Sequence, residues 1–473
     1  MSSASSEVVS SSSHPSPTVG VFSSGYRRMT IGIVAVVFLI AFEAMAVATA
    51  MPVAARDLDG LPLFAWAFSA FLTTSLFTMV LSGEWSDRRG PTAPLTTGVA
   101  AFTVGLLISG GAVSMPVLIL GRAVQGLGLG LVIVAIYVVV GRFYPEQMRP
   151  RAFSAMSSAW VLPSIVGPAV AGFLADSLSW RLVFLLVPPL VLPALWLIVP
   201  GLRRLPASSA AAEQTRRGRK LFALAAAIGA ALLQYAGTHL AWISLLIAAA
   251  GIALLAPSVP RLLPAGAARL RRGLPTIVIM RGVMAAAFFG AETFIPLMLI
   301  EQRGLSTTLA GLTLTGGALG WAFGSWYQGR PRNRWPRPRL VQIGNAFITL
   351  SIASVALVLL PGVPVVVAAL AWTFGGVGMG LGMASLSVLL LEQSPVADQG
   401  ANSAALQLCD ALGSILSIGA AGAIFAAGAR GGDAPPATFA IIWAVMVVIG
   451  ILGVLVAPRV RAPRSQPTLS PAP

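Results

Sequence analysis

Apolar runs long enough to cross a lipid bilayer recur along almost the whole chain, and this feature limits the possible folds most. They lie near residues 31–50, 62–82, 94–112, 117–141, 152–175 and 182–200, then 221–236 and 240–257, then 276–300, 308–328, 340–360, 365–391, 402–427 and 437–457. At about 1.5 Å per residue, a helix of such length covers a hydrocarbon core of about 30 Å. Of 473 residues, 56% are hydrophobic and 10% charged, and the mean hydropathy is +0.85. A water-soluble domain could not enclose that much apolar surface. The expected class is an all-α polytopic membrane protein of fourteen transmembrane helices: two pseudo-symmetric six-helix bundles with an extra central helical pair.

The divisions that follow are an N-terminal tail (1–30), a first six-helix bundle (31–200), a basic linker (201–220), a two-helix hairpin (221–257), a basic loop (258–275), a second six-helix bundle (276–457) and a C-terminal tail (458–473). The Ser-rich opening has neither an apolar core region nor a cleavage pattern placed for a secretory signal, so it reads as a disordered cytoplasmic tail.

Charge placement tests this topology independently of hydropathy. The formal charge is +16, and of the 31 basic residues all but Lys220 are Arg, a bias consistent with a GC-rich bacterial gene. Spread over the whole chain, that charge does not suggest nucleic acid. With the N-terminus inside, 25 basic residues fall on the cytoplasmic side, Arg56, Arg181, Arg303 and Arg430 fall outside, and Arg122 and Arg281 lie within spans. This is the asymmetry of the positive-inside rule. Losing one hairpin helix would invert the last six loops, whereas losing both would not, so the charges favour fourteen or twelve spans over thirteen. Arg beside the inner leaflet also favours anionic lipids as partners. The single cysteine, Cys409, excludes an intrachain disulfide.

The two sets of six share a local pattern. "GEWSDRRG" (83–90) follows the second run of the first set, and "GSWYQGR" (324–330) follows the second run of the other. Each has a Gly that lets helices approach, an aromatic, a polar residue four positions on, and Arg at the inner face. Asp87 is placed to pair with Arg or to accept hydrogen bonds from a helix end, which would latch the halves in one state.

These residues resemble the major facilitator superfamily over most of the chain. "GEWSDRRG" is similar to the signature between its second and third helices through Gly83, Asp87, Arg88 and Gly90, with Pro91 and Thr92 where further basic residues are common. "GRAVQGLGLG" resembles the fourth-helix signature through Arg122, Gln125, Gly126 and Gly128. "VLPSIVGPAVAG" resembles the fifth-helix antiporter signature through Pro163, Gly167, Pro168 and Gly172. "FEAMAVATAMP" looks like the first-helix signature of the fourteen-helix drug:proton antiporters, with Glu43 where Asp is usual and Pro52 at the end. The resemblance implies alternating access driven by protons.

The few charges inside apolar runs are where mechanism is expected. Glu43 lies about twelve residues into the first run, near mid-membrane; ionised burial there is costly, and a bound proton relieves it. Arg122 stays charged and needs a carboxylate or water, for proton coupling or as a structural bridge, and Gln125 at i+3 shares its face. The glycines behind it suit close helix packing. Pro163 and Pro168, with Gly167 and Gly172, suit a pliant gating helix. Glu292 lies about 24 Å along its helix beside Phe288, Phe289 and Phe294, a setting for a lipophilic cation or a second proton site. Asp410 pairs with Arg281 or takes part in transport. The substrate-binding set is therefore Glu292, Phe288, Phe289, Phe294 and Gln125, and the proton-coupling set Glu43, Arg122, Glu292 and Asp410.

His14 and His239 are the only histidines, which gives no metal-spaced set and no Ser–His–Asp arrangement. The expected protein is not an enzyme and needs no cofactor or metal beyond protons as the coupling ion. It is read as a monomeric multidrug/proton antiporter of the bacterial cytoplasmic membrane, with both termini inside, that exports lipophilic cationic or neutral compounds. The alternative is a dedicated exporter of a natural product, lipid or siderophore.

Overall fold

The computed structural model describes residues 20–60, 64–203, 218–238, 242–305, 307–330, 334–428 and 435–462. Most of the N-terminal tail, most of the linker, the hairpin turn with His239 and the end of the C-terminal tail lie outside the described residues, as do the side chains of Pro168, Asp176 and Gln234. Among the described residues there are seventeen α-helices and no strand. In lipid every backbone polar group must be satisfied internally, and a helix does this within one segment.

The first group comprises α1 (Arg27–Asp57), α2 (Phe64–Arg89), α3 (Thr92–Gly110), α4 (Met115–Phe143), α5 (Arg149–Ser158), α6 (Val161–Ser177), α7 (Arg181–Leu185) and α8 (Val187–Leu202). The central pair is α9 (Arg219–Thr238) and α10 (Trp242–Leu262). The second group comprises α11 (Leu274–Glu292), α12 (Ile295–Arg303), α13 (Thr307–Gln328), α14 (Arg337–Leu357), α15 (Val366–Gln393), α16 (Gln399–Gly428) and α17 (Pro436–Val456).

Eleven helical stretches are long and apolar enough to cross a membrane. The other expected runs, near 152–175, 221–236 and 308–328, coincide with α5 and α6, α9 and α13; they are helical without meeting that standard over the described residues. The protein is thus an all-α, multi-pass membrane protein.

Three runs expected as single helices are broken, and proline accounts for each break. Pro163 has no N–H for the carbonyl of Ala159, where α5 gives way to α6. Pro188 and Pro189 follow the α7–α8 break at Leu186, and Pro296 leaves the carbonyl of Glu292 without its donor at the α11–α12 break. The expected flexible helix is therefore interrupted on the N-terminal side of Pro163 and runs unbroken through Gly167 and Pro168.

Within the first group α4 packs on α2 and α3, and α1 on α6 and α8; in the second, α15 packs on α13 and α14, and α11 on α16 and α17. The groups meet where α2 and α4 lie on α16, and where α5 lies on α13 and α15. The central pair is tied internally at Gly229 and Gly251, where a Cβ on either would come within 2.9 Å of the other's carbonyl oxygen. Its α9 turns Ala223, Ala226, Ala227 and Ala230 onto Leu76 and Met79 of α2 and onto Ala404 and Leu408 of α16, so it straddles the seam between the groups.

Candidate functional site

Glu43 on α1 and Arg122 and Gln125 on α4 come together as one cluster. They are 0%, 3% and 0% exposed, so bulk solvent does not screen the charges. Arg122 Nη1 donates to Glu43 Oε1 and, at 2.7 Å, to Gln125 Oε1. Its Nε donates to the Ala67 carbonyl at 3.2 Å, and the guanidinium lies 4.2 Å from the centre of the Phe71 ring. Glu43 Oε2 and Gln125 Nε2 have no hydrogen-bond partner among the described residues. One carboxylate oxygen is thus held by the arginine, while the other is a buried acceptor with room in its valence for a proton. The i, i+3 spacing places Gln125 correctly on the Arg122 face; Ala67 and Phe71 carry no motif that would single them out.

The glycines of α4 let α2 and α3 pack closely on it. Gly126 lies against Thr74 Oγ1 and the Phe71 carbonyl, Gly130 against Thr78 Oγ1 and the Ser75 carbonyl, and Gly128 against the backbone of Phe102. A Gly128→Leu chain is expected to lose about 1–3 kcal/mol through overpacking. Its unfolding midpoint, followed by tryptophan fluorescence in detergent, should fall. Gly172→Ala should not lower it, because a Cβ at Gly172 meets nothing within 4 Å.

A second buried pair lies in the other group. Arg281 Nε donates to Asp410 Oδ1 at 2.9 Å, and Nη1 reaches the Met383 carbonyl at 3.1 Å and Ser387 Oγ at 3.3 Å. Arg281 is 7% exposed, and the Asp410 side chain 26%. Nη2 points to Tyr137 Oη at 3.4 Å, on α4 of the first group. Tyr137 is not in the expected set: an uncharged residue inside an apolar run carries no mark of its own.

Glu292 is half-buried at the α11 break, and among the described residues no Arg or Lys forms an ion pair with it. Phe288 is fully buried and stacks on Trp372 at 4.5 Å, with Trp321 edge-on at 5.8 Å; Phe289 lies 6.1 Å from Trp321. Phe294 belongs to a different cluster, 5.9 Å from Phe425. Trp321 and Trp372 come from α13 and α15, so sequence distance conceals them.

At one end of the bundle Asp87 sits on the first turn of α16. Its Oδ1 accepts the Gly400 N–H at 2.7 Å and its Oδ2 the Ala401 N–H at 2.8 Å, with Arg142 Nη2 3.8 Å away. Two free amides and the positive helix end suit a carboxylate there. Gly83 makes the approach possible, since its Cβ would lie 2.5 Å from the Gly400 carbonyl oxygen and 2.8 Å from Ala404 Cβ. Gly90 serves differently: its φ of +80° turns the chain from α2 into α3, and Arg88 is exposed at that end. The reciprocal contact is made by Gln328 on α13, whose Nε2 donates to the Pro150 carbonyl at 3.0 Å. Matching turns after Pro145 and Pro395, each followed five residues on by Pro150 or Gly400, carry these two contacts and are the sequence signal that points to them.

At the opposite end Asp57, beyond the apolar part of α1, accepts the Trp180 indole N–H at 2.9 Å and pairs with Arg181 at 3.0 Å. The indole first, and the guanidinium second, hold its carboxyl below the usual range. Among the described residues no His, Cys, Asp and Glu group could hold a metal ion.

Scarce charges buried at helix crossings, with two groups of helices that interlock at one end, are the architecture of a membrane transporter. A family model described as the Major Facilitator Superfamily matches residues 33–417, and the chain belongs to that family, whose members are characteristically transporters rather than enzymes. It is similar to the multidrug transporter protein MdtP of Bacillus subtilis, 30% identical over 172 residues, 36% of this chain and 32% of that protein. It also resembles the acurin A biosynthesis cluster MFS-type transporter of Aspergillus aculeatus, 31% identical over 166 residues, 35% of this chain and 30% of that protein. The chain therefore spans about a third of the length of these curated relatives. The human organic anion transporter MFSD10 shares its fold, with a TM-score of 0.69 at 13% identity over 91% of this chain and 99% of that one.

Proposed function

We propose that this chain is a proton-coupled secondary exporter of organic small molecules of the natural-product kind, working by alternating access. The observation that carries the reading is the Glu43–Arg122–Gln125 cluster, a carboxylate buried in a membrane span with one oxygen left unpartnered. Such a group is costly when ionised and unpaired, so a proton and a moving partner are natural ligands for it. Similarity to a transporter of a biosynthesis cluster favours a dedicated natural product as cargo. A broader multidrug range is the second reading, favoured by the MdtP similarity and by Glu292, a carboxylate near aromatics that suits lipophilic cations.

In this reading fourteen spans, arranged six, two, six, place both termini in the cytoplasm. The two bundles rock about a central cavity, and Asp87 with Gly400 latches the cytoplasmic end. The exposed arginines of that side meet anionic lipid, and the working unit is a monomer in a bacterial cytoplasmic membrane. Alternation takes a proton at Glu43 from outside, releases substrate, and returns the proton inside.

The test is transport by the purified full-length chain in proteoliposomes under an imposed pH gradient, with lipophilic cations, neutral compounds and acidic natural products compared side by side. Accumulation that collapses with the gradient, and is matched by proton flux, is expected for at least one class. Gradient-independent equilibration of every compound would overturn proton coupling.

A further inference from the structure

Both buried ion pairs lie within one group of helices: Glu43–Arg122 joins α1 to α4, and Arg281–Asp410 joins α11 to α16. If the groups rock as bodies, neither pair is disturbed, and neither alone reports its protonation to the other group. A contact that does cross is Arg281 Nη2 to Tyr137 Oη at 3.4 Å. The ring of Tyr137 is fixed by Phe153 of α5, with ring centres 5.0 Å apart. The other guanidinium contacts, Asp410, the Met383 carbonyl and Ser387, all belong to the second group.

Within the network the Asp410 side chain is the more open partner, 26% exposed against 9% for Arg281. Arg281 of α11 pairs with Asp410 and reaches Tyr137 of α4 through Nη2, and Cys409 precedes Asp410 on α16. Of the other titratable groups on the helices packed against α16, Asp87 of α2 sits on the first turn of α16, 2.7 and 2.8 Å from the Gly400 and Ala401 amides; the rest are Glu84, Arg88 and Arg89 on α2, Lys220 and Tyr235 on α9, Arg122 and Arg142 on α4, Glu292 on α11 and Glu392 on α15, with none on α17.

We propose that Tyr137 is the positioning residue through which protonation of Asp410 is transmitted across the seam between the two groups. Ionised Asp410 holds Arg281 by Nε, which aims Nη2 at Tyr137 and keeps the Asp87 end closed. A proton taken up by the Asp410 carboxylate weakens that hold. The guanidinium is then held only by the Met383 carbonyl and Ser387, which it touches in both forms, and the link to Tyr137 is lost. The inference rests on the proton-coupled reading above and supplies its mechanical link.

The experiment uses the full-length chain with spin labels at Glu146→Cys and Val396→Cys, exposed positions on opposite sides of the closed end. The native Cys409 is buried and stays unlabelled. The distance distribution in vesicles is recorded as a function of pH. The closed population of the parent should decrease as the pH is lowered. Tyr137→Phe keeps the ring on Phe153 and removes only the hydroxyl; it should lower the closed-to-open ratio at neutral pH about threefold to tenfold and reduce its pH dependence to the part that Asp87, at the contact itself, supplies. Asp410→Asn should do the same, and the double variant should add nothing further, as expected for two members of one pathway. Ser387→Ala, which touches the same guanidinium from within its own group, should leave the pH dependence intact. A Tyr137→Phe protein with the parent's pH dependence, or equal effects of Ser387→Ala and Tyr137→Phe, would overturn the inference. Transport assays on the same proteins separate the readings: a pH-sensitive seam in a chain that couples no substrate to protons overturns the proposed function and leaves the Tyr137 link standing.

Discussion

Glu43→Gln is expected to reduce gradient-driven accumulation to the level of empty vesicles while leaving the protein folded. The amide keeps an acceptor oxygen for Arg122 Nη1, so the guanidinium still has a partner across α1 and α4. What it loses is the ability to take and release a proton. Exchange of substrate for substrate, which needs no net proton movement, should persist. Glu43→Ala is different in kind. It strands a charge that is 3% exposed, and breaking a buried pair by removing one partner costs about 3–5 kcal/mol. Glu43→Gln also leaves the guanidinium without a counter-charge but keeps its hydrogen bond, so the Ala variant should lose more thermal stability than the Gln variant. Retained pH-driven transport in well-folded Glu43→Gln would remove this residue from the coupling mechanism.

Replacing Asp87 by Ala is expected to shift the balance of conformations further than other single changes at the seam. Two hydrogen bonds to an ionised carboxylate are lost, at 2.7 and 2.8 Å, together with its attraction to the first turn of α16. At about 1.5–3 kcal/mol for each charge-assisted bond, and with water replacing part of the loss, a net change of about 3 kcal/mol is reasonable. That is roughly a hundredfold in the ratio of closed to open forms. The same labels at Glu146 and Val396 read it directly: the short-distance population should give way to a long one. Gln328→Ala, which removes a neutral hydrogen bond to Pro150, should shift the ratio by about tenfold or less. If both substitutions shift the ratio equally, the charge on Asp87 is not what holds this end.

Much of the site is legible in the amino-acid sequence because its signals are local. Glu43, Arg122, Arg281 and Asp410 stand out as ionisable groups where the solvent is lipid, and the i, i+3 relation of Arg122 and Gln125 follows from helix geometry alone. The match of Arg281 with Asp410 is legible too, because both lie in the first half of their apolar runs. The breaks at Leu186 and after Glu292 are not, since a proline in an apolar run reads equally as a kink or as an end. Trp321 and Trp372 beside Phe288 are hidden for another reason: an aromatic in a span carries no sign of which neighbour it faces. Phe294 adjoins Phe288 and Phe289 in sequence, yet the break before it sends it to Phe425.

The apolar runs by themselves determined that this chain is helical and multi-pass, because backbone satisfaction in lipid leaves a continuous apolar segment few alternatives. They also determined which residues would be too costly to bury alone. Which of those residues meet was decided only by tertiary packing: Glu43 finds Arg122 across 79 positions, Asp87 finds Gly400 across 313, and Tyr137 finds Arg281 across 144. The reason is physical. Hydropathy is a property of each segment against its solvent, whereas pairing depends on which glycine-lined faces bring two helices close enough for a side chain of a few ångströms to span the gap.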